Sequence, residues 1–420
     1  MLDRISRRDR GHRVAVLGAG LAGSLTALAL ARKGHDVDLI DNGETPVSRA
    51  SLHNEGKLHL GYVYAADRSG PTCERMIEGA LSFLPILSEV TGVPAIGFVQ
   101  SKPFLYGVPY DSQMSPDEVA LHFGRVDTAI AEYGREHETD AGTGIPAPHR
   151  RLTADESGRW FDPRLVGAAF ATDERSVDTV AIADLVAACI YAEPRIELML
   201  GTTVETAEAA PGGGWDVTCS NASGAERLRY PGVVNALWAD RLRLDSEIGL
   251  HPGRTCLLRY KASVTLDAPD MAGMMNMPSA TLIVGPYGDL ANHGDGRIYL
   301  SWYPVCKLME TRDNNPRPML ERVTREMDRK AIARNTLEAL VRYLPSLSQL
   351  TPALDRMHVG GGVIAAWGET DIDDPASGLH ERHEIGPKRH GSWVTLDTGK
   401  YCTAPLYAQR AADLVAEALV

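Results

Sequence analysis

The sequence predicts an α/β fold in which a parallel sheet wrapped by helices is interleaved with a second, largely antiparallel sheet. Three observations carry this. The N-terminal region reads strand, glycine-rich turn, helix, strand. Short apolar runs typical of buried parallel strands return at residues 233–236 and 393–396, and stretches between them alternate as antiparallel strands do. No internal repeat and no low-complexity linker divides the chain, so the two sheets share it in alternating segments.

Residues 14–17 form the first apolar run, and GAGLAG at 18–23 is the turn. Residues 25–33 are rich in Ala and Leu, strong helix formers. They end in Arg32 and Lys33 before Gly34, which suits a helix C-terminus and its left-handed cap. Residues 37–40 make the second strand, and Asp41 closes it. In such a Rossmann-like unit Gly18 allows the tight turn, Gly20 lets a pyrophosphate approach the backbone, and Gly23 lets helix and strand pack closely. The diphosphate would sit at the helix N-terminus, whose free N–H groups favour an anion. Asp41 follows Gly18 by 23 residues, in register for a ribose, and favours adenosine without a 2′-phosphate. Dinucleotide binding is expected; the bland alternative is a glycine-rich turn in an ordinary α/β protein.

The uncharged run 14–31 also reaches the 18-residue length of a membrane helix, and Arg7-Arg8 imitates an export signal. The glycine spacing and the break at Arg32-Lys33-Gly34 argue against both readings. A soluble, cytoplasmic protein is expected. Further helices are expected over residues 71–92, 115–135, 180–193, 317–343 and 405–419, and strands within 96–110, 197–200, 204–207, 215–219, 227–230, 254–266, 282–285 and 297–302. Residues 12–95, 165–250 and 350–420 are assigned to a discontinuous dinucleotide-binding domain, and 96–164 and 251–349 to the second, substrate-covering domain.

Composition narrows the partners. A formal net charge of −12 repels polyanions, and 6% aromatic residues offer few stacking platforms, so nucleic acid is a poor partner. Six cysteines lie far apart with no CxxC pair, which reads as reduced thiols. The 13 histidines form no HExxH spacing, and Asp371, Asp373 and Asp374 resemble a metal loop only loosely, so no metal is expected.

Four segments carry a resemblance: GAGLAGSLTALALARKGHDVDLID, SRASLHNEGKLHLG, TVETA with VVNALWADRL, and TLDTGKYCTAPLYAQRAADLVAEAL. On these the chain resembles the D-amino-acid-oxidase-like superfamily of FAD-dependent oxidoreductases, over about a third of its length. The resemblance implies FAD as cofactor. Gly18, Ala19, Gly20, Leu21, Ala22 and Gly23 would hold the pyrophosphate, and Asp41 with Asn42 the adenosine ribose. Arg49, Ala50 and Ser51 would approach the pyrophosphate, while His53, Asn54, Gly56, Lys57 and Leu58 would run beneath the isoalloxazine. Val204 matches the position pairing with adenine, and Asn235, Ala236 and Trp238 the strand end beside the diphosphate. Gly399, Lys400, Tyr401, Cys402 and Thr403 would follow the flavin pyrimidine, with the next helix aimed at it. A His at the place of His53 carries a covalent flavin in one branch. The His-Asn-x-Gly pattern here matches a branch that needs none, so non-covalent FAD is expected, with a link through His53 as the alternative.

The substrate side rests on chemistry. The family's Arg-Pro signature is replaced by Gly360-Gly361-Gly362-Val363-Ile364. Arg259 and Lys261 share one face of an alternating strand and suit anion anchoring or oxygen activation; a solvated strand face is the alternative. Tyr303, with Tyr299 and Trp302, walls a pocket or belongs to the core. Arg382 follows a glycine-containing loop and reads as a site cation or a surface ion pair. The expected function is FAD-dependent oxidation of an amine or amino-acid-like metabolite, with oxygen or another acceptor taking the electrons. A 2-hydroxy acid is the alternative, with His59 as base. A non-catalytic FAD-binding protein is the alternative of another class.

Overall fold

The computed structural model describes residues 6–67, 69–98, 101–137, 144–271 and 276–420. Its centre is a six-stranded sheet in the order Gly386–His390, Trp393–Asp397, Gly232–Asn235, Arg13–Leu17, Asp36–Ile40, Ile196–Met199. All its pairings are parallel except the hairpin of the first two strands. The strand interiors are apolar and buried on both faces, as crossover helices require.

Helices Leu21–Arg32, Pro71–Thr91, Thr179–Ala192 and Ala404–Glu417 cover one face through Leu25, Leu30, Phe83, Leu87, Val186 and Ala411. The first of them is 12 residues long, and no helix of the described residues is long and apolar enough to cross a membrane. A four-stranded sheet of Ser6–Asp9, Gly224–Tyr230, Trp215–Asn221 and Thr203–Ala209 covers the other face, packing Val217, Leu228 and Tyr230 on Ala15, Leu17 and Ile40. The Arg7-Arg8 pair lies in its first strand.

The second layer is a nine-stranded sheet running from Lys307–Thr311 through Cys256–Asp267, Arg297–Trp302, Gly288–Asn292, Ser279–Leu282, Phe104–Pro109 and Val166–Ala171 to Arg150–Arg151, with His358–Trp367 also paired to Cys256–Asp267. It is antiparallel apart from the pairing of Ser279–Leu282 with Phe104–Pro109. Helices Pro116–Glu136 and Arg329–Tyr343 pack on it through Phe123 and Val126, and through Leu337 and Leu340.

Several sequence expectations need correcting. Two strands of the second sheet, Val166–Ala171 and His358–Trp367, fall inside segments 165–250 and 350–420. The chain therefore changes sheets after residues 171 and 367, not at 165 and 350. The helical stretch 317–343 is two helices, Arg317–Glu326 and Arg329–Tyr343, because Asp328 caps the second by accepting from the Ala331 N–H. Within 96–110 the strand is confined to Phe104–Pro109, and Val99 lies outside the described residues. His358–Trp367 went unrecognised because three consecutive glycines erase the strand pattern.

Candidate active site

The cradle at the end of strand Arg13–Leu17 is made by backbone. Gly18 has φ +100, and a Cβ there would lie 2.6 Å from the Ala236 carbonyl oxygen. A Cβ on Gly23 would lie 1.8 Å from the Gly18 carbonyl oxygen, so only glycine lets this helix sit against its strand. A Cβ on Gly20, by contrast, would meet only Ser51 Oγ, at 3.4 Å, which leaves this N-cap bare on the side a phosphate would approach. Asp41 accepts from the Ala19 N–H at 2.8 Å and the Gly43 N–H at 2.6 Å, fixing its carboxylate beside the turn. Asn42 and Arg49 are exposed nearby, and Ala22 is half-buried. This cradle fits a dinucleotide: Gly18 and Gly23 let turn, strand and helix close up, Gly20 keeps the opening bare, and that opening lies at a helix N-terminus.

The loop after it is tied by side chains. Ser51 Oγ accepts from the Leu21 N–H, 3.1 Å away. Asn54 donates to the Ala50 and Ser51 carbonyls and accepts from Gly56 N–H at 2.8 Å, so its amide is spent on holding the loop. His53 lies on the second sheet: a Cβ on Gly360 would come 2.4 Å from its Nδ1, and one on Gly362 2.7 Å from Ala50 Cβ. The glycine triplet thus admits the loop to the sheet surface. Burial lowers the pKa of His53.

Three expected cofactor contacts turn inward. Lys57 is fully buried in the second sheet, with Nζ 2.5 Å from Thr281 Oγ1, 3.4 Å from Glu174 and 3.9 Å from the Phe104 ring centroid. Its ammonium therefore leaves the cradle, while Leu58 beside it donates its N–H to the Arg175 carbonyl. The Asn235 amide donates to the Arg241 carbonyl and to Asp245, deep in the first sheet. The Val204 carbonyl accepts from Arg243 and Arg317. Ala236 lines Gly18, and Trp238, at φ +53, donates Nε1–H to the Val363 carbonyl at 2.7 Å.

At the other end, Gly399 at φ +63 turns the chain from strand Trp393–Asp397 into helix Ala404–Glu417. Thr403 is buried and donates to the Thr398 carbonyl, and Tyr401 stacks on Phe83 with centroids 5.5 Å apart. Cys402 packs on Met76 and Tyr64, and burial raises its thiol pKa to about 12. It is an inert core thiol.

Between the sheets lies a charged cleft. His59 is buried, T-shaped to Tyr64 with centroids 5.7 Å apart and with Nε2 3.6 Å from Glu55; its Nδ1 has no partner among the described residues. Burial, then Lys400, Lys57, Lys261 and Arg382, hold it well below the usual imidazole pKa, so it is neutral. Burial and Asp289 push Glu55 up to about 7. Lys400 reaches over the Tyr64 ring at 5.7 Å, and burial with Arg382 brings its ammonium down to about 8. Lys261 lies 3.7 Å from Asp289.

Arg259 is 1% exposed, so it is no solvated strand residue; Nη1 donates to Tyr303 OH at 2.8 Å and to Asp371 at 2.6 Å. Tyr303 is accordingly neither free wall nor plain core. Arg382 is half-buried and donates to the Leu379 and Ala365 carbonyls. Asp371 also accepts from Lys307, which leaves it no metal-binding role; among the described residues no cluster of His, Cys, Asp and Glu is arranged for a metal ion.

Sequence reasoning brought out His59, Arg259, Lys261, Tyr303, Arg382 and Lys400, took Asp371 only for part of a loose metal loop, and missed Glu55, Tyr64, Glu174 and Asp289. Glu55 had a signal, lying one turn before His59 in the quoted loop. Tyr64 follows in the turn Tyr62–Tyr64 just after that loop, whereas Glu174 and Asp289 come from distant positions with no local signal.

A family model described as FAD dependent oxidoreductase (DAO) matches residues 13–414. Glycine oxidase from Geobacillus kaustophilus superposes with TM-score 0.65 at 18% identity, covering 97% of this chain and 95% of that one. L-alpha-glycerophosphate oxidase from Mycoplasma pneumoniae gives 0.64 at 14%, with the same coverages, 97% and 95%. Kynurenine 3-monooxygenase from Salinispora tropica is 48% identical over 52 residues; that match spans 12% of this chain and 12% of the relative's length.

Proposed function

The chain belongs to the FAD dependent oxidoreductase family, and on that premise we propose that it oxidises a small carboxylate-bearing amine or amino acid. One observation carries the reading. Arg259, Arg382, Lys261 and Lys400 converge on a buried cleft where Asp289 and Asp371 are the anions facing them and Glu55 is partly protonated near pH 7. A surplus of positive charge in such a place suits an anionic ligand. That glycine oxidase is a close structural neighbour agrees with this choice.

FAD, when bound, would supply a two-electron acceptor. The chain's residues do the rest. Gly20 and the uncapped N-terminus of helix Leu21–Arg32 would hold the diphosphate, and Asp41, fixed by the Ala19 N–H, would hold the ribose. Arg382 and Lys400 orient the substrate carboxylate. An amine needs only to lose its proton to solvent or to neutral His59 before its C–H bond breaks, so no strong base is required. The N-terminus of helix Ala404–Glu417 carries no side-chain cap and would favour negative charge on a flavin held beside it. Oxygen or another acceptor takes the electrons onward. Six widely separated free cysteines support a reducing, cytoplasmic setting.

The buried, neutral His59, whose Nδ1 has no partner among the described residues, favours a second reading, a 2-hydroxy acid whose hydroxyl proton it takes. An anaerobic screen of amino acids, N-methyl amines and 2-hydroxy acids, followed at the oxidised-flavin band, decides. Bleaching by amines, with His59→Ala only mildly slower, is expected. Bleaching by hydroxy acids alone, slowed about 10²–10⁴-fold in His59→Ala, would move the assignment to the second reading. No bleaching by any of them would leave a cofactor-binding protein.

A further inference from the structure

Arg259 is built more elaborately than holding a structural carboxylate requires. It lies on strand Cys256–Asp267 with its guanidinium buried, and only Nη1 is used, by Tyr303 OH and Asp371. Its Nε and Nη2 are buried with no acceptor among the described residues. Those two N–H groups lie along one edge of the planar guanidinium, the fork that matches the two oxygens of a carboxylate. A buried charged donor left unpaired is costly, so an acceptor belongs there.

The opposite side of the group is anchored. Asp371 accepts from Arg259 Nη1, from Tyr303 OH at 2.8 Å, from Lys307 Nζ at 2.9 Å and from the Ile372 N–H at 2.8 Å. The fork therefore cannot swing away from the cleft. Ser263, on the same face of the strand, has a buried Oγ that also lacks a partner among the described residues.

Arg382 stands beside this site. Its Nη1 donates to the Ala365 carbonyl, and Ala365 follows Ile364, the residue opposite Arg259 in the sheet. Arg382 has two backbone carbonyl acceptors and no carboxylate partner among the described residues. Burial and the neighbouring Arg259 lower its pKa to about 10, as expected of two cations facing one space.

We propose that Arg259 is the clamp for a second carboxylate of the substrate, so that the metabolite oxidised is a dicarboxylate, one carboxylate on Arg382 with Lys400 and the other on the Arg259 fork. This rests on the reading of a carboxylate-bearing substrate and narrows it.

The test is binding to the FAD-loaded protein, by calorimetry and by flavin absorbance. Malonate, succinate, glutarate and adipate are each compared with the monocarboxylate of equal carbon number. One dicarboxylate is expected to bind about ten- to a hundredfold more tightly than its partner, the worth of one charge-assisted fork. Arg259→Met should close that gap and Arg259→Lys should restore part of it. Equal affinities within every wild-type pair, or a gap that survives in Arg259→Met, would overturn the clamp. The wild-type series stands alone if either variant fails to fold. The reaction is judged separately: flavin that no amine reduces sinks the proposed reaction while a dicarboxylate gap keeps the clamp. Flavin reduced as readily by glycine or sarcosine as by any amino dicarboxylate removes the clamp and keeps the reaction.

Discussion

The two sheets hold their polar groups in opposite ways. Around the cradle of the six-stranded sheet the work is done by main chain: Gly18, Gly20 and Gly23 shape it, and even Asp41 is fixed by two backbone N–H groups. On the cleft side of the nine-stranded sheet it is done by charged side chains from separate strands, several left incompletely paired. A backbone cradle binds what all relatives share and tolerates little change. A side-chain cleft can be re-equipped strand by strand, and that is where one member of a fold differs from the next.

The contrast can be broken in four ways. The largest effect should come from Glu174→Ala. Glu174 accepts from Tyr106 OH and the Leu60 N–H and faces Lys57 in a fully buried pair. Its loss leaves the buried ammonium only Thr281 and the more distant Asp289, 3.9 Å away, as polar partners among the described residues, and should cost about 3 kcal/mol in denaturant unfolding. A cost near zero would mean that the cleft charges are held independently of one another.

Next is the cradle itself. Asp41→Ala should leave the fold intact and weaken FAD by about 1.5–3 kcal/mol per charge-assisted hydrogen bond lost, read by titrating apoprotein with FAD. Unchanged affinity would show that the ribose is held elsewhere.

A smaller effect is pH dependence of anion binding. Burial raises Glu55 to about 7 and lowers Lys400 to about 8. Raising the pH through 7 adds a negative charge, and through 8 removes a positive one, so both changes weaken an anion. Acetate affinity should fall by about fivefold, near 1 kcal/mol, over this window. Glu55→Gln should remove the lower limb and Lys400→Met the upper. A flat profile in the wild type would separate these groups from the ligand.

The smallest concerns His53. On acid precipitation the yellow colour should stay in the supernatant, and His53→Ala should keep its FAD with stability changed by less than about 1 kcal/mol. Colour in the pellet would reveal a covalent bond instead.

Legibility followed the same divide. The cradle was readable because its parts lie within one βαβ unit, where glycine spacing and one acid at a fixed distance state the geometry. His53 to His59 were readable as a set, though the inward turn of Lys57 was not: nothing local says that Thr281 and Glu174 will receive it. Arg259 was found by strand alternation, but its partner Asp371 lies 112 positions on, in a run that looked like a loose metal loop. Strand His358–Trp367 was hidden by the glycines that let Ala50 and His53 reach it.

The position of helix Ala404–Glu417 bears on how the protein is made. Strand Trp393–Asp397 pairs beside Gly232–Asn235, Thr26 of helix Leu21–Arg32 reaches the Ala408 carbonyl, and Lys33 binds Asp413 at 2.7 Å. The wall beside the cradle is thus supplied by residues translated nearly 400 positions after its floor. During synthesis the glycine turn exists without that wall until residues 393–417 have been added, so tight FAD capture has to follow their addition.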